Sequence, residues 1–231
     1  MSDERGRLVR ARAAFFVGSV LVAALVAPQG FRSAPVADAA VNPIQMITVR
    51  GLTSTSTTAT LEAIERPAAG GPYKLMHPAI YAHVGSQGIG KASEYKSVTP
   101  AGTFSLSEAY GRLANPGTNI PYKVLDWSDW WVSDVNSGYY NTHYRCGGTV
   151  YCHFDISKGE RLMSAGAVYD HLVVINYNRW PVVKGAGSAF FLHITNGRPT
   201  AGCVAVSRAD MIWLLRWLKI EDKPLIKIYV T

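Results

Sequence analysis

The sequence predicts a mostly-β domain finished by one late α-helix, and three observations carry that reading. Short runs rich in Thr, Val and Ile recur with period-two patterning. Gly and Pro breaks separate them. Only the stretch after Ser207 holds apolar residues at helical spacing. Of 231 residues, 48% are apolar and 17% charged, which suits one well-buried body and argues against disorder.

In chain order, Met46-Ile47-Thr48-Val49 and Thr57–Ile64 read as two adjacent strands or a hairpin across a Ser/Thr turn. Pro67–Pro72 breaks the chain, and Tyr73–Val84 reads as further strand kinked at Pro78. Residues 85–103 are loop-rich, and a strand runs through Phe104–Leu106. Residues 126–153, which open with DWSDWWVSDVNSGYYNTHYRC, keep no lasting periodicity and are expected to form a long ordered loop or lid. Strands resume at His171–Tyr177 and Phe190–Ile194. Ser207 with Asp210 makes a capping-box-like start, Met211, Leu214, Leu215 and Leu218 supply a core face, Pro224 stops the helix, and Leu225–Val230 is a closing strand. No internal repeat is present.

Residues 1–40 differ from the rest. Arg5, Arg7, Arg10 and Arg12 precede an apolar run, Phe15–Ala27, of about 20 Å as a helix, short of a bilayer core. Pro28, Gly30 and Ala37-Asp38-Ala39 complete the layout of a secretory signal peptide, with an uncleaved anchor as the alternative. Either way the domain over residues 41–231 is expected outside the cytoplasm, with membrane contact only through an uncleaved leader. The chain carries +7, of which residues 1–40, with five Arg and three acids, account for +2, leaving +5. No Lys/Arg cluster in that remainder supports nucleic-acid binding.

The three cysteines divide. Cys146 and Cys152, in RCGGTVYC, are expected to form a disulfide in an exported chain. Zinc bound by His143, Cys146, Cys152 and His153 is disfavoured because the spacing departs from the common knuckles, so no metal is assigned. Cys203 is left over. A lone cysteine is often an apolar filler, but its setting, Thr200-Ala201-Gly202-Cys203 ten residues after His193, suits a nucleophile and base. Gly202 permits a sharp turn that could aim the Gly202 and Cys203 amides at an oxyanion.

The run GSAFFLHITNGRPTAGCVAVSRADMIWLLRWL resembles the active-site region of the L,D-transpeptidase (YkuD-like) family, marked by a histidine followed by Ser/Thr-x-Gly-Cys. Thr99-Pro100-Ala101-Gly102-Thr103-Phe104 is similar to the family's Thr-Pro-x-Gly-x-Phe segment. Together the blocks span residues 97–231, with residues 41–96 as preceding strands of the same domain. The resemblance implies β-sandwich-like mixed sheets, Cys203 as nucleophile, His193 as base, and Thr200 as a loop- or substrate-holding hydroxyl. It implies a thioester with a peptidoglycan stem tetrapeptide, transfer to an amine giving a 3→3 crosslink, and no cofactor.

One departure is plain. The family carries Arg two residues after the cysteine, and this chain has Ala205; Arg198 or Arg208 could substitute, though neither is in register. That leaves open a carboxypeptidase-type hydrolase on the same stem, or a silent peptidoglycan-binding domain. A papain-like or NlpC/P60-like peptidase is disfavoured, since no histidine follows Cys203. His171 reads as structural rather than functional. Asp126, Asp129 and Asp134 read as turn formers rather than a carboxylate pair. Trp130, Tyr139 and Tyr140 are candidates for holding a glycan or peptide stem.

Overall fold

A computed structural model of the chain describes residues 43–231. The basic, apolar leader expected over residues 1–40 lies outside the described residues. In chain order the strands are β1 (Gln45–Gly51), β2 (Thr58–Glu65), β3 (Lys74–Leu75), β4 (Ile80–His83), β5 (Ile89–Gly90), β6 (Thr99–Pro100), β7 (Gly102–Gly111) and β8 (Tyr122–Val124). There follow β9 (Asp129–Val132), β10 (His143–Arg145), β11 (Gly159–Arg161), β12 (Leu172–Ile175), β13 (Phe191–Ile194), β14 (Val204–Val206) and β15 (Leu225–Val230), with helix α1 (Arg208–Trp217) before the last.

The expected N-terminal pair forms an antiparallel ladder, Met46 opposite Ile64 and Val49 opposite Leu61. Alternation along β2 buries Ala59, Leu61 and Ala63 on one face. On its other edge β1 pairs in parallel with β15, Met46 opposite Leu225. The pairings run β1-β15-β7-β12-β13-β14-β4-β2, and the β1–β2 ladder closes the ring. Closure leaves the main strands without a bare edge, which removes the template for edge-to-edge pairing.

The principal core fills this ring with Ile47, Leu61, Leu106, Val173, Leu192 and Val204, among others. Helix α1 covers it through Met211, Leu214 and Leu215, the face its spacing predicts, and Leu218 just beyond is also fully buried. Ser207 caps α1 by accepting the Asp210 amide at 3.1 Å.

Residues 126–153 differ from the expected loop. They supply two strands of a second sheet, ordered β10-β9-β11, and Cys146 and Cys152 are disulfide-bonded just beyond β10. All four residues of β9 are buried, so the strand has no in–out alternation to read. Asp129 at its start is fully buried and accepts from Lys123, from His143 at 2.8 Å and from Arg145 at 2.9 Å. Burial alone would raise its pKa, but those donors hold the carboxyl below its usual value. A second apolar cluster then joins Trp131 of this sheet to Tyr169, Phe191 and Cys203. The Trp131 ring meets Phe191 edge-on at 5.0 Å, so the second sheet buttresses the strand that carries His193.

Candidate active site

Cys203 sits immediately before β14, and His193 lies on the neighbouring strand β13. The two strands are parallel, with Leu192 opposite Val204 and His193 opposite Ala205. This register sets the thiol, at the entry to β14, beside the strand that carries the imidazole, and both line one cavity of about 410 Å³.

Each reactive group is held separately. Cys203 Sγ accepts the Phe191 amide and donates to the Ala189 carbonyl, each at 3.4 Å. The thiol is 7% exposed, and burial, with the negative charge of Glu160 adding, pushes it up to about 12. His193 Nδ1 donates to the Ile194 carbonyl at 2.8 Å, because a carbonyl can only accept. That bond fixes the tautomer and leaves the Nε2 lone pair free. Burial pushes His193 down to about 4, so at neutral pH thiol and imidazole are both uncharged. Among the described residues no hydrogen bond joins Cys203 Sγ to the His193 ring.

The loop between them is pinned by hydroxyls. Thr200 Oγ1 donates to the Cys203 carbonyl at 2.6 Å and accepts the Gly202 amide at 3.0 Å. Thr99, fully buried in the Thr-Pro block, also donates to the Cys203 carbonyl, at 3.3 Å, and accepts the Gly85 amide at 2.8 Å. The Thr200 amide in turn donates to the Val84 carbonyl at 2.8 Å. The two motif blocks, about a hundred residues apart, therefore meet on one carbonyl oxygen. Gly202 has φ +141°, and a Cβ there would come within 2.7 Å of the Phe190 ring.

Residues 70–230 match the family model of the L,D-transpeptidase catalytic domain, YkuD. The chain belongs to this family. No curated protein and no solved structure matches it. Members of the YkuD family are cysteine-dependent L,D-transpeptidases that act on peptidoglycan stem peptides, and their β-sandwich-like domain agrees with the mostly-β architecture and late helix. The match begins after β1 and β2, yet both strands belong to the closed sheet.

Ala205, where the family carries Arg, is 1% exposed and faces the cavity between His193 and His83 of the flanking strands. Of the two proposed substitutes, Arg198 is exposed on the cavity lining. Arg208 lies outside that lining and is bound to Asp170 at 2.6 Å. Trp130 also lies outside it, 6% exposed, its indole N–H donating to the Cys146 carbonyl at 3.3 Å and its ring covered by Arg161. Tyr140 is 1% exposed behind the cavity, its hydroxyl donating to Glu94 and accepting the Gly187 amide at 3.1 Å. Tyr139 is partly exposed and packs on Tyr144, ring centroids 4.6 Å apart, also away from the cavity. His171 is buried and hydrogen-bonded to the Tyr122 hydroxyl at 3.0 Å.

Glu160 and Tyr169 are among the lining residues that sequence reasoning does not mark. Tyr169 donates to Glu160 Oε1 at 2.8 Å and stands edge-on to His193 with ring centroids 5.3 Å apart. Neither residue lies in or beside a motif, so no spacing signal marks them. Among the described residues no cluster suited to a metal ion is found, and no helix is long and apolar enough to cross a membrane.

Proposed function

We propose that this chain is a peptidoglycan L,D-transpeptidase, with a catalytic domain over residues 41–231, that works through a thioester on Cys203. The observation that supports the reading most is the parallel register that sets His193 and Cys203 on one cavity, with His193 Nε2 free to accept a proton.

In this mechanism the donor tetrapeptide enters the cavity and draws Sγ onto His193 Nε2. The thiol proton passes to Nε2, the sulfur attacks the carbonyl of the diaminopimelate–D-Ala bond, and His193 returns the proton to the departing D-Ala amine. A buried imidazolium is costly on its own, and the nearby thiolate compensates for it. Because the Gly202 amide is engaged by Thr200, the Cys203 amide is the remaining donor of that pair for the oxyanion. Arg198, at the rim, would hold a stem carboxylate. An amine of a second stem then resolves the thioester into a 3→3 crosslink. Such a substrate requires an extracytoplasmic site of action, in keeping with the basic, apolar leader.

Hydrolysis of the same thioester is the second reading, and Ala205 favours it, since the cation the family carries near the thiol is missing. Incubation of the purified protein with disaccharide-tetrapeptide separates the two by muropeptide mass. Crosslinked dimer supports transfer, monomeric tripeptide supports hydrolysis, and neither product would sink both.

A further inference from the structure

The cavity that holds Cys203 is not closed on all sides. A second cavity, about 540 Å³, shares three lining residues with it: Glu94, Ser133 and Glu160. The two cavities therefore meet at these three side chains. These side chains are not equally free. Glu94 is spent, with one oxygen accepting from Tyr140 and the other from Ser188 at 2.9 Å. Ser133 is hydrogen-bonded to the Ser188 hydroxyl at 2.7 Å. Glu160 uses only Oε1, toward Tyr169, and among the described residues nothing donates to Oε2.

Glu160 is also rigidly placed. It lies on β11, opposite Trp131 in the ladder with β9, and its Tyr169 partner packs against His193 and Phe191. A carboxylate here works against the nucleophile, because its charge opposes the thiolate. The group that gains from an anion at this point is a cation arriving next to the thioester. Lys158, which also lines the second cavity, is paired with Asp155 at 3.3 Å.

We infer that the second cavity admits the acceptor and that Glu160, held by Tyr169, binds its primary ammonium and takes its first proton. This rests on the thioester reading above and adds where the second substrate's amine binds and which residue takes its proton. The ammonium gives one proton to the Glu160 carboxylate, and the freed lone pair forms the C–N bond at the thioester carbonyl. As the C–S bond breaks, the second N–H proton passes through His193 Nε2 to the Cys203 sulfur. Glu160 then releases its proton to solvent through the second cavity. Burial, which raises the pKa of the Glu160 carboxyl, makes it a better proton acceptor than an ordinary carboxylate.

The test uses acyl-enzyme formed from disaccharide-tetrapeptide whose own side-chain amine is acetylated. Two nucleophiles are then added to wild type and Glu160→Gln: a stem tripeptide with a free, protonated amine, and hydroxylamine, which is uncharged at neutral pH. The expected result for Glu160→Gln is acylation no slower than wild type, since the charge opposing the thiolate is gone, and a ratio of tripeptide rate to hydroxylamine rate at least tenfold below wild type, carried by a raised KM for the tripeptide. Glu160→Asp is expected to recover part of that loss. Should Glu160→Gln fold poorly, Tyr169→Phe keeps the carboxylate but loosens it, and a severalfold loss confined to the tripeptide is expected. Equal rates with the tripeptide, equal slowing with both nucleophiles, or failure of folded Glu160→Gln to acylate would each overturn the inference. Failure of wild type to acylate would instead count against the thioester itself.

Discussion

Thr200 Oγ1 donates to the Cys203 carbonyl across 2.6 Å, three residues along the chain, and Thr99 reaches the same oxygen from the other end of the domain at 3.3 Å. The Cys203 carbonyl is therefore held by two hydroxyls, one from the loop that leads into it and one from the Thr-Pro block. Thr200→Val, which keeps the shape, is expected to cost about 1 kcal/mol of stability and to slow acylation on the order of tenfold, because a misaimed nucleophile loses near-attack geometry. Thr200→Ser should retain most of both. Urea denaturation and acylation rates check this, and an undisturbed Thr200→Val would show that the hydroxyl is idle.

Gly202 carries a conformation that side chains rarely adopt, and its missing Cβ makes room for Phe190. Gly202→Ala is expected to destabilise the fold by roughly 2 kcal/mol or more through backbone strain and overpacking, and to lose acylation. Wild-type stability in this variant would mean that the loop relaxes without cost.

The buried, uncharged His193 makes a specific pH statement. Its folded pKa is depressed from 6.5 to about 4, so its contribution to stability is present above pH 6.5 and is lost as pH falls toward 4. That loss is on the order of 3 kcal/mol. Other groups titrate in this range, so the comparison is with His193→Gln. Wild type should lose more stability than the variant between pH 7 and 4, as read by denaturant midpoints. Parallel losses would mean that His193 is not buried neutral.

The Cys146–Cys152 disulfide closes a short loop outside the cavity lining. Loop-closure entropy for a loop of this length is worth about 2 kcal/mol. Replacing both cysteines with Ser is expected to lower the melting temperature by about 4–8 °C and leave acylation within about twofold. Trp130→Ala, beside it, should likewise cost stability, whereas Arg198→Ala should raise KM for the donor without lowering the melting temperature. A KM effect from Trp130 instead would put the aromatic sheet at the substrate.

Cys203 and His193 were legible as a candidate pair because both lie in one short stretch that resembles the family motif, and the structure sets both on one cavity. The β1–β2 pair and the α1 face were legible because each buries one side only, and alternation or helical spacing survives. β9 was not, since all four of its residues are buried and its Trp and Asp residues read as loop. Trp130 shows the same limit: an aromatic residue in a sequence does not say which way it faces, and this one is covered by Arg161. Glu160 and Tyr169 reach the site only through tertiary packing of the second sheet, so nothing local announces them.

The most direct measurement is intact-protein mass after incubation with disaccharide-tetrapeptide, on wild type beside Cys203→Ala. The expected result is an acyl adduct on wild type, equal to the donor less D-Ala, and none on the variant. An adduct that persists in Cys203→Ala, or no adduct on folded wild type with a competent donor, would contradict Cys203 as the nucleophile.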